Sequence, residues 1–159
     1  MSTEQTIRDF VDRFYAAIDQ MLNGHGEPME SLWSHGPEAT VMHPDGAREM
    51  GWEEVRAAFL GWAAAVKDDR IEPREVAIRL VTSDVAIVTA QEVGRGTIAG
   101  QAVEVDARAT LVLRREGGGW TAVHHHVDAD PKIRALAASA RATLDLSGAS
   151  IGSPEPALP

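Results

Sequence analysis

Cysteine is absent from the 159 residues, which removes disulfides, thiol nucleophiles and thiolate metal sites from consideration. Aromatic residues are scarce, 5% of the chain with a single tyrosine, so each of the four tryptophans and three phenylalanines needs its own explanation. Basic residues are in the minority, 15 Lys and Arg against 24 Asp and Glu for a formal charge of -9, and no stretch gathers them into a stripe that follows phosphates. Nucleic acid is therefore not an expected partner. No apolar run approaches the roughly 20 residues needed to cross a bilayer, and MSTEQTIRDF lacks the basic-then-apolar order of a signal peptide. The expectation is a cytoplasmic protein without a membrane partner.

What is present describes one ordinary domain. A hydrophobic fraction of 44% and a charged fraction of 25% are enough for a packed core. Ile7, Phe10, Val11, Phe14, Ile18, Met21 and Leu22 recur at spacings of three and four, one face of a helix, with Ser2 and Gln5 as a capping box at its start. Asn23-Gly24 ends it, and Pro28 followed by MESLW predicts a second, short helix. Residues 39–43 read as a short strand closed by the turn Pro44-Asp45-Gly46. A third helix starts near Gly51, its Trp52, Val55, Phe59, Trp62 and Val66 sharing one face for burial.

From about Arg70 the apolar period falls to two, and four strands are predicted at 71–81, 85–93, 101–114 and 120–127. Ser83-Asp84, residues 94–100 and Gly117-Gly118-Gly119 connect them as hairpins. The third of these strands alternates most clearly: Val103, Val105, Ala107, Ala109, Leu111 and Leu113 point one way, and Glu104, Asp106, Arg108 and Thr110 the other. One face is core and the other polar. Ile133, Leu136, Ala137, Ala140 and Leu144 then predict a last amphipathic helix, followed by SGASIGSPEPALP, which has too little apolar material to fold. The division expected is an α+β domain over 1–129, a C-terminal helix over 130–146 and a flexible tail over 147–159.

Three segments, LWSHGPEATVMHP at 32–44, GWEEVRAAF at 51–59 and GGGWTAVHHHVD at 117–128, occur in the order helices, strand ending in His-Pro, Trp-bearing helix, long strands, histidine cluster. That order resembles the SnoaL-like, nuclear-transport-factor-2-like superfamily, which includes ketosteroid isomerase, polyketide cyclases, dehydratases and the association domain of calmodulin-dependent kinase II. The resemblance covers residues 5 to about 129. It implies a cone-shaped α+β barrel, with a curved antiparallel sheet wrapped around three N-terminal helices to enclose one pocket. The outer sheet face then forms a homodimer, with Arg108 and the Glu104/Asp106 pair meeting across the two-fold axis.

On that resemblance His43 matches the strand-end position of the isomerase's carboxylate base, and an imidazole is suited to proton transfer near neutral pH. The isomerase's helix-borne tyrosine matches Phe14, with Tyr15 one residue away, and its strand-borne acid matches about Leu111. A phenyl ring and a leucine donate no hydrogen bond to an enolate, so steroid-type isomerisation by that route is disfavoured.

Strand alternation separates His125 from His124 and His126, so the three histidines cannot converge on one ion, and no metal is expected. The resemblance places His125 with Val127 inside and His124 with His126 outside; a β-bulge between residues 100 and 127 would reverse this. Trp33 and Trp52 are expected near the pocket mouth, Phe59 and Trp62 in the wall or core behind it. Either Gln91 or Glu92 supplies the pocket with a polar group. Gly94, Gly96 and Gly100 lie in a hairpin, not between a strand and a helix, so no nucleotide motif and no cofactor is indicated. The function expected is binding of a small, apolar, polyketide-like or aromatic molecule. Proton-transfer chemistry such as cyclisation, isomerisation or dehydration would use His43 as base, with His125 or Gln91/Glu92 orienting the substrate. The alternative is a non-catalytic ligand-binding or dimerisation module.

Overall fold

Helix α1, Thr3–Met21, opens with Ser2 accepting a hydrogen bond from the Gln5 amide, the capping geometry that offsets unpaired first-turn donors. Ile7, Phe10, Val11, Phe14, Ile18 and Met21 are buried along one face, and Tyr15 joins them. The structure, a computed structural model, describes residues 1–146. The flexible tail expected over 147–159 lies outside the described residues. The second helix is a 3-10 segment, Glu27–Leu32, carrying Met29 and Leu32 into the core. It is too short to repay the nucleation of a full α-helix.

The remaining elements are β1 Thr40–Met42, β2 Arg48–Met50, α2 Trp52–Ala65, β3 Val66–Leu80, β4 Val85–Ile98, β5 Gln101–Glu116, β6 Gly119–Val127 and α3 Pro131–Leu146. The curved sheet expected is present, open and in the order β2-β1-β6-β5-β4-β3; its neighbours pair antiparallel except β1, which runs parallel to β6. β2 was not expected. It forms because the turn His43 to Ala47, with Gly46 at φ 83, folds the chain back onto β1 as a hairpin.

The connection expected over 94–100 is also corrected. β4 continues to Ile98, and the turn is only Ala99 (φ 50) and Gly100 (φ 76), a pair with the positive φ that suits a tight hairpin. Gly94 and Gly96 belong to the strand because β3 presses on them. A Cβ at 94 would lie 2.0 Å from the Arg70 carbonyl oxygen, and one at 96 would lie 2.3 Å from the Asp69 carboxylate.

The inward face of β5 is as its alternation predicts, with Val103, Val105, Ala107, Ala109, Leu111 and Leu113 all buried. Bulges curve the sheet. Extra residues in β3 break the register between Lys67 and Arg70 and between Arg74 and Ala77, and another in β6 falls between Ala122 and His124. Helix α3 docks through Ile133, Leu136, Ala137 and Ala140, and Arg141 pairs with Asp45 in the β1–β2 turn. On the outer face the Arg108 guanidinium holds Asp128 of its own chain through two hydrogen bonds, 2.8 and 3.3 Å, and Asp106 accepts one from Gln91. Arg108 and Asp106, two of the charges expected to pair across a two-fold axis, thus have partners within the chain.

Candidate active site

Val41 and His43 are two apart and both buried, so the end of β1 turns His43 inward. The parallel pairing sets Val41 beside His125 of β6, which brings both imidazoles to one cavity. The β6 bulge at Val123 decides which residues of that strand face in. Before it the even residues Trp120 and Ala122 are buried; after it the odd residues His125 and Val127 are. His125 is therefore inside, His126 exposed, and His124 half-buried outside with Nδ1 2.7 Å from the Thr40 hydroxyl.

The cavity has a volume of about 80 Å³. Its apolar wall comes from the end of α1 (Ile18, Met21), from Phe59 and Trp62 of α2, from Ile71, Val103, Val105 and Val127 of the sheet, and from Ile133 of α3. Its polar groups are His43, His125, Glu92 and Asp69, and among the described residues no Lys or Arg lines it.

Each histidine is backed by a carboxylate. His125 Nε2 is 3.0 Å from Glu92 Oε1, which also accepts from the Tyr15 hydroxyl at 3.0 Å. The carboxylate selects the tautomer with the proton on Nε2, and Phe14 packs edge-on against the ring at 5.2 Å. Burial first, then the adjacent Glu92 charge, pushes the Tyr15 phenol far up, so it stays protonated as a donor. His43 Nε2 stands 3.3 Å from Glu49 Oε2 in β2, close but not hydrogen-bonded, and both atoms are buried without a hydrogen-bond partner.

Burial, opposed by Asp45 and reinforced by His125 and Arg141, lowers His43 to about 3; burial and Asp45 raise Glu49 to about 7. The direction for the pair is clear: both are driven toward their neutral forms. A neutral imidazole keeps a lone pair free and is a proton acceptor.

The structure brings His43, His125, Glu92, Phe59, Trp62 and Val127 to the cavity wall. Tyr15 stands one hydrogen bond behind Glu92, and Phe14 one ring behind His125. Trp33, Trp52 and Leu111, expected at the pocket, lie off the wall, and of the pair Gln91 and Glu92 it is Glu92 that lines it. Trp33 is buried between Phe14 and Phe59, Leu111 is core under β5, and Gln91 faces outward. Trp52, half-buried at the start of α2, stacks on His35 at 4.1 Å rather than guarding the mouth. Glu49 and Asp69 were missed. Three residues of β2 are too few for alternation to mark Glu49, and Asp69 comes inward only through the β3 bulge.

A family model described as a SnoaL-like domain matches residues 7–127. A comparison with curated proteins finds no match. Among solved structures the chain resembles a protein provisionally named an aromatic ring hydroxylase from Novosphingobium aromaticivorans (21% identity, TM-score 0.68, 79% of this chain and 87% of that one). It also resembles a provisionally named dehydratase of the NTF2-like family from Streptomyces avermitilis (22%, 0.67, 80% and 95%). A third is a provisionally named calcium/calmodulin dependent protein kinase II association domain from Xanthomonas campestris (19%, 0.67, 83% and 91%). At these identities the likeness is one of fold.

Proposed function

Because this chain belongs to the SnoaL-like domain family, we propose that its cavity binds a small, largely apolar molecule and moves a proton on it. The observation that carries this reading is the convergence of two buried histidines, each with a carboxylate beside it, on one largely apolar cavity. His43 is the base. It takes a proton from the ligand as a neutral imidazole, and the imidazolium that forms stands beside the ligand anion it leaves, so the transfer creates no net charge in the cavity. His125, held by Glu92 and through it by Tyr15, orients the ligand from the adjoining strand. Return of the same proton at another atom completes an isomerisation or cyclisation; its delivery to a departing hydroxyl completes a dehydration. Polyketide-like and aromatic molecules are the substrate class that the family membership supports.

The first experiment is mass spectrometry of small molecules that co-purify with the protein, followed by incubation of the captured ligand in D2O. Wild type should exchange a ligand proton for deuterium, and His43→Gln should slow that exchange about 100-fold or more while the fold is retained. Equal exchange rates would remove His43 from the chemistry.

The cavity's size favours a second reading. About 80 Å³ is well under the roughly 150 Å³ of an apolar cavity that takes up benzene, so a ring system enters only if the walls part. In that reading the domain is a non-catalytic ligand-binding or oligomerisation module. A homodimer through the outer face of β4 to β6, in the cytoplasm, fits either reading. It is supported by the half-buried outward pair Ile87 and Val112 and by the resemblance to a kinase association domain.

A further inference from the structure

The histidine end of the cavity leaves one buried acid unused. Between Lys67, paired with Thr97, and Arg70, paired with Arg95, β3 carries one residue more than β4. Asp68 absorbs the excess in the left-handed region at φ 55, a conformation that aspartate tolerates better than most residues. The inward residues of β3 are consequently Val66, Asp69 and Ile71. The bulge is pinned by Asn23, whose Nδ2 donates to the Asp69 carbonyl at 2.9 Å, and by Asp19, which accepts from the Ile71 amide at 2.9 Å.

Asp69 is 8% exposed, lines the cavity, and has its Oδ1 buried without a partner. Its Oδ2 occupies the space that a side chain at 96 would fill. Gly96 thus makes room for the carboxylate, and a regular strand would have pointed Asp69 to solvent. Four residues of β4 separate Gly96 from Glu92, so Asp69 stands roughly 13 Å along the sheet from the histidine end. Apolar side chains, Ile71 and Ile98 among them, line the cavity with it. Burial, opposed by the Arg70 backbone amide and reinforced by the neighbouring Asp19 charge, raises Asp69 to about 6, so near neutrality it is an ionised carboxylate with no Lys or Arg among the described residues lining the cavity.

We propose that Asp69 is the anchor for a protonated amine on the ligand, at the end of the cavity away from His43 and His125. This rests on the reading of the cavity as a small-molecule site. An ammonium supplies both the hydrogen bond that Oδ1 lacks and the opposite charge that no lining Lys or Arg provides. The ligand class is then a small apolar amine, and carboxylates and phosphates are rejected by Asp69 and Glu92 together.

The test uses three probes, n-butylamine, 1-butanol and xenon, the last because it enters dry apolar cavities. Each is titrated by NMR at pH 7.5 into wild type, Asp69→Asn and Gly96→Ala, with circular dichroism checking that the variants fold. In wild type n-butylamine should shift the amides of Asp69, Arg70 and Gly96 and bind about tenfold tighter than 1-butanol. Asp69→Asn should weaken n-butylamine about tenfold and leave xenon unchanged. Gly96→Ala keeps the charge but displaces the carboxylate, and should weaken the amine as well. Equal affinity of wild type and Asp69→Asn for n-butylamine, or of amine and alcohol for wild type, overturns the anchor while xenon entry leaves the cavity reading standing. Exclusion of xenon from wild type overturns the cavity reading and the anchor with it.

Discussion

Replacing Glu49 by glutamine should make the protein acid-sensitive between pH 6.5 and 4.5, where wild type is held closer to level. His43 is lowered from its ordinary 6.5 to about 3 on folding, so below pH 6.5 the unfolded chain binds a proton that the folded one refuses, and stability falls as the pH falls. Glu49 is raised from 4.5 to about 7, so over the same interval the folded chain holds a proton that the unfolded one releases, and stability rises as the pH falls. The two slopes oppose each other between pH 6.5 and 4.5, and below 4.5 only the His43 slope remains. Glu49 keeps 20% of its side-chain exposure, so its offset is partial.

With Glu49→Gln the offset is lost. Two pH units at about 1.4 kcal/mol each give a fall of about 3 kcal/mol, a figure that needs only a folded His43 value well below 4.5. Against a total stability of roughly 5–15 kcal/mol this is a large change. Urea unfolding of Glu49→Gln and of the His43→Gln, Glu49→Gln double variant at both ends of the interval isolates the effect, since every other titrating group is common to the two. The single variant should lose about 3 kcal/mol more than the double one. Parallel behaviour of the two, or an imidazole nitrogen signal of His43 titrating at its ordinary value, would refute the neutral-pair reasoning.

Gly94→Ala should lose about 1–3 kcal/mol in urea unfolding, because its Cβ would meet a backbone oxygen of β3 that no side-chain rotation relieves. A change within about 0.5 kcal/mol would mean that the two strands separate without penalty. Val112→Glu, set beside Ile87 on the outer face, should shift sedimentation at tens of micromolar, an order-of-magnitude choice, from dimer to monomer. A wild-type monomer under those conditions would sink the dimer outright.

Much of this fold was legible because its signals are periodic. The α1 face and the β5 alternation are each read correctly from spacing alone, and the Ser2 cap from one residue type at one place. The partners of the site were harder to see for reasons of length. β2 has three residues, below the four to eight over which alternation counts as a strand, so nothing in Arg48-Glu49-Met50 by itself says that Glu49 returns to His43. Its position follows from the hairpin register, Glu49 opposite Val41, which is a property of the turn and not of the strand.

The bulges are the deeper obstacle, because a single extra residue reverses every inward assignment beyond it without altering composition. In β6 the residues on both parities looked fit for burial, Trp120 and Ala122 on one and His125 and Val127 on the other. A regular strand cannot bury both sets on one face, and the structure resolves the conflict by spending Val123 as the extra residue. The same logic reaches β3, where Val66 and Ile71 are five apart, an odd interval, yet both are inward. Two confidently apolar positions at odd separation within one strand imply an inserted residue between them, and the polar residue just after the insertion is re-aimed at the core. In β3 the insertion falls at Asp68, and Asp69 is the residue so re-aimed.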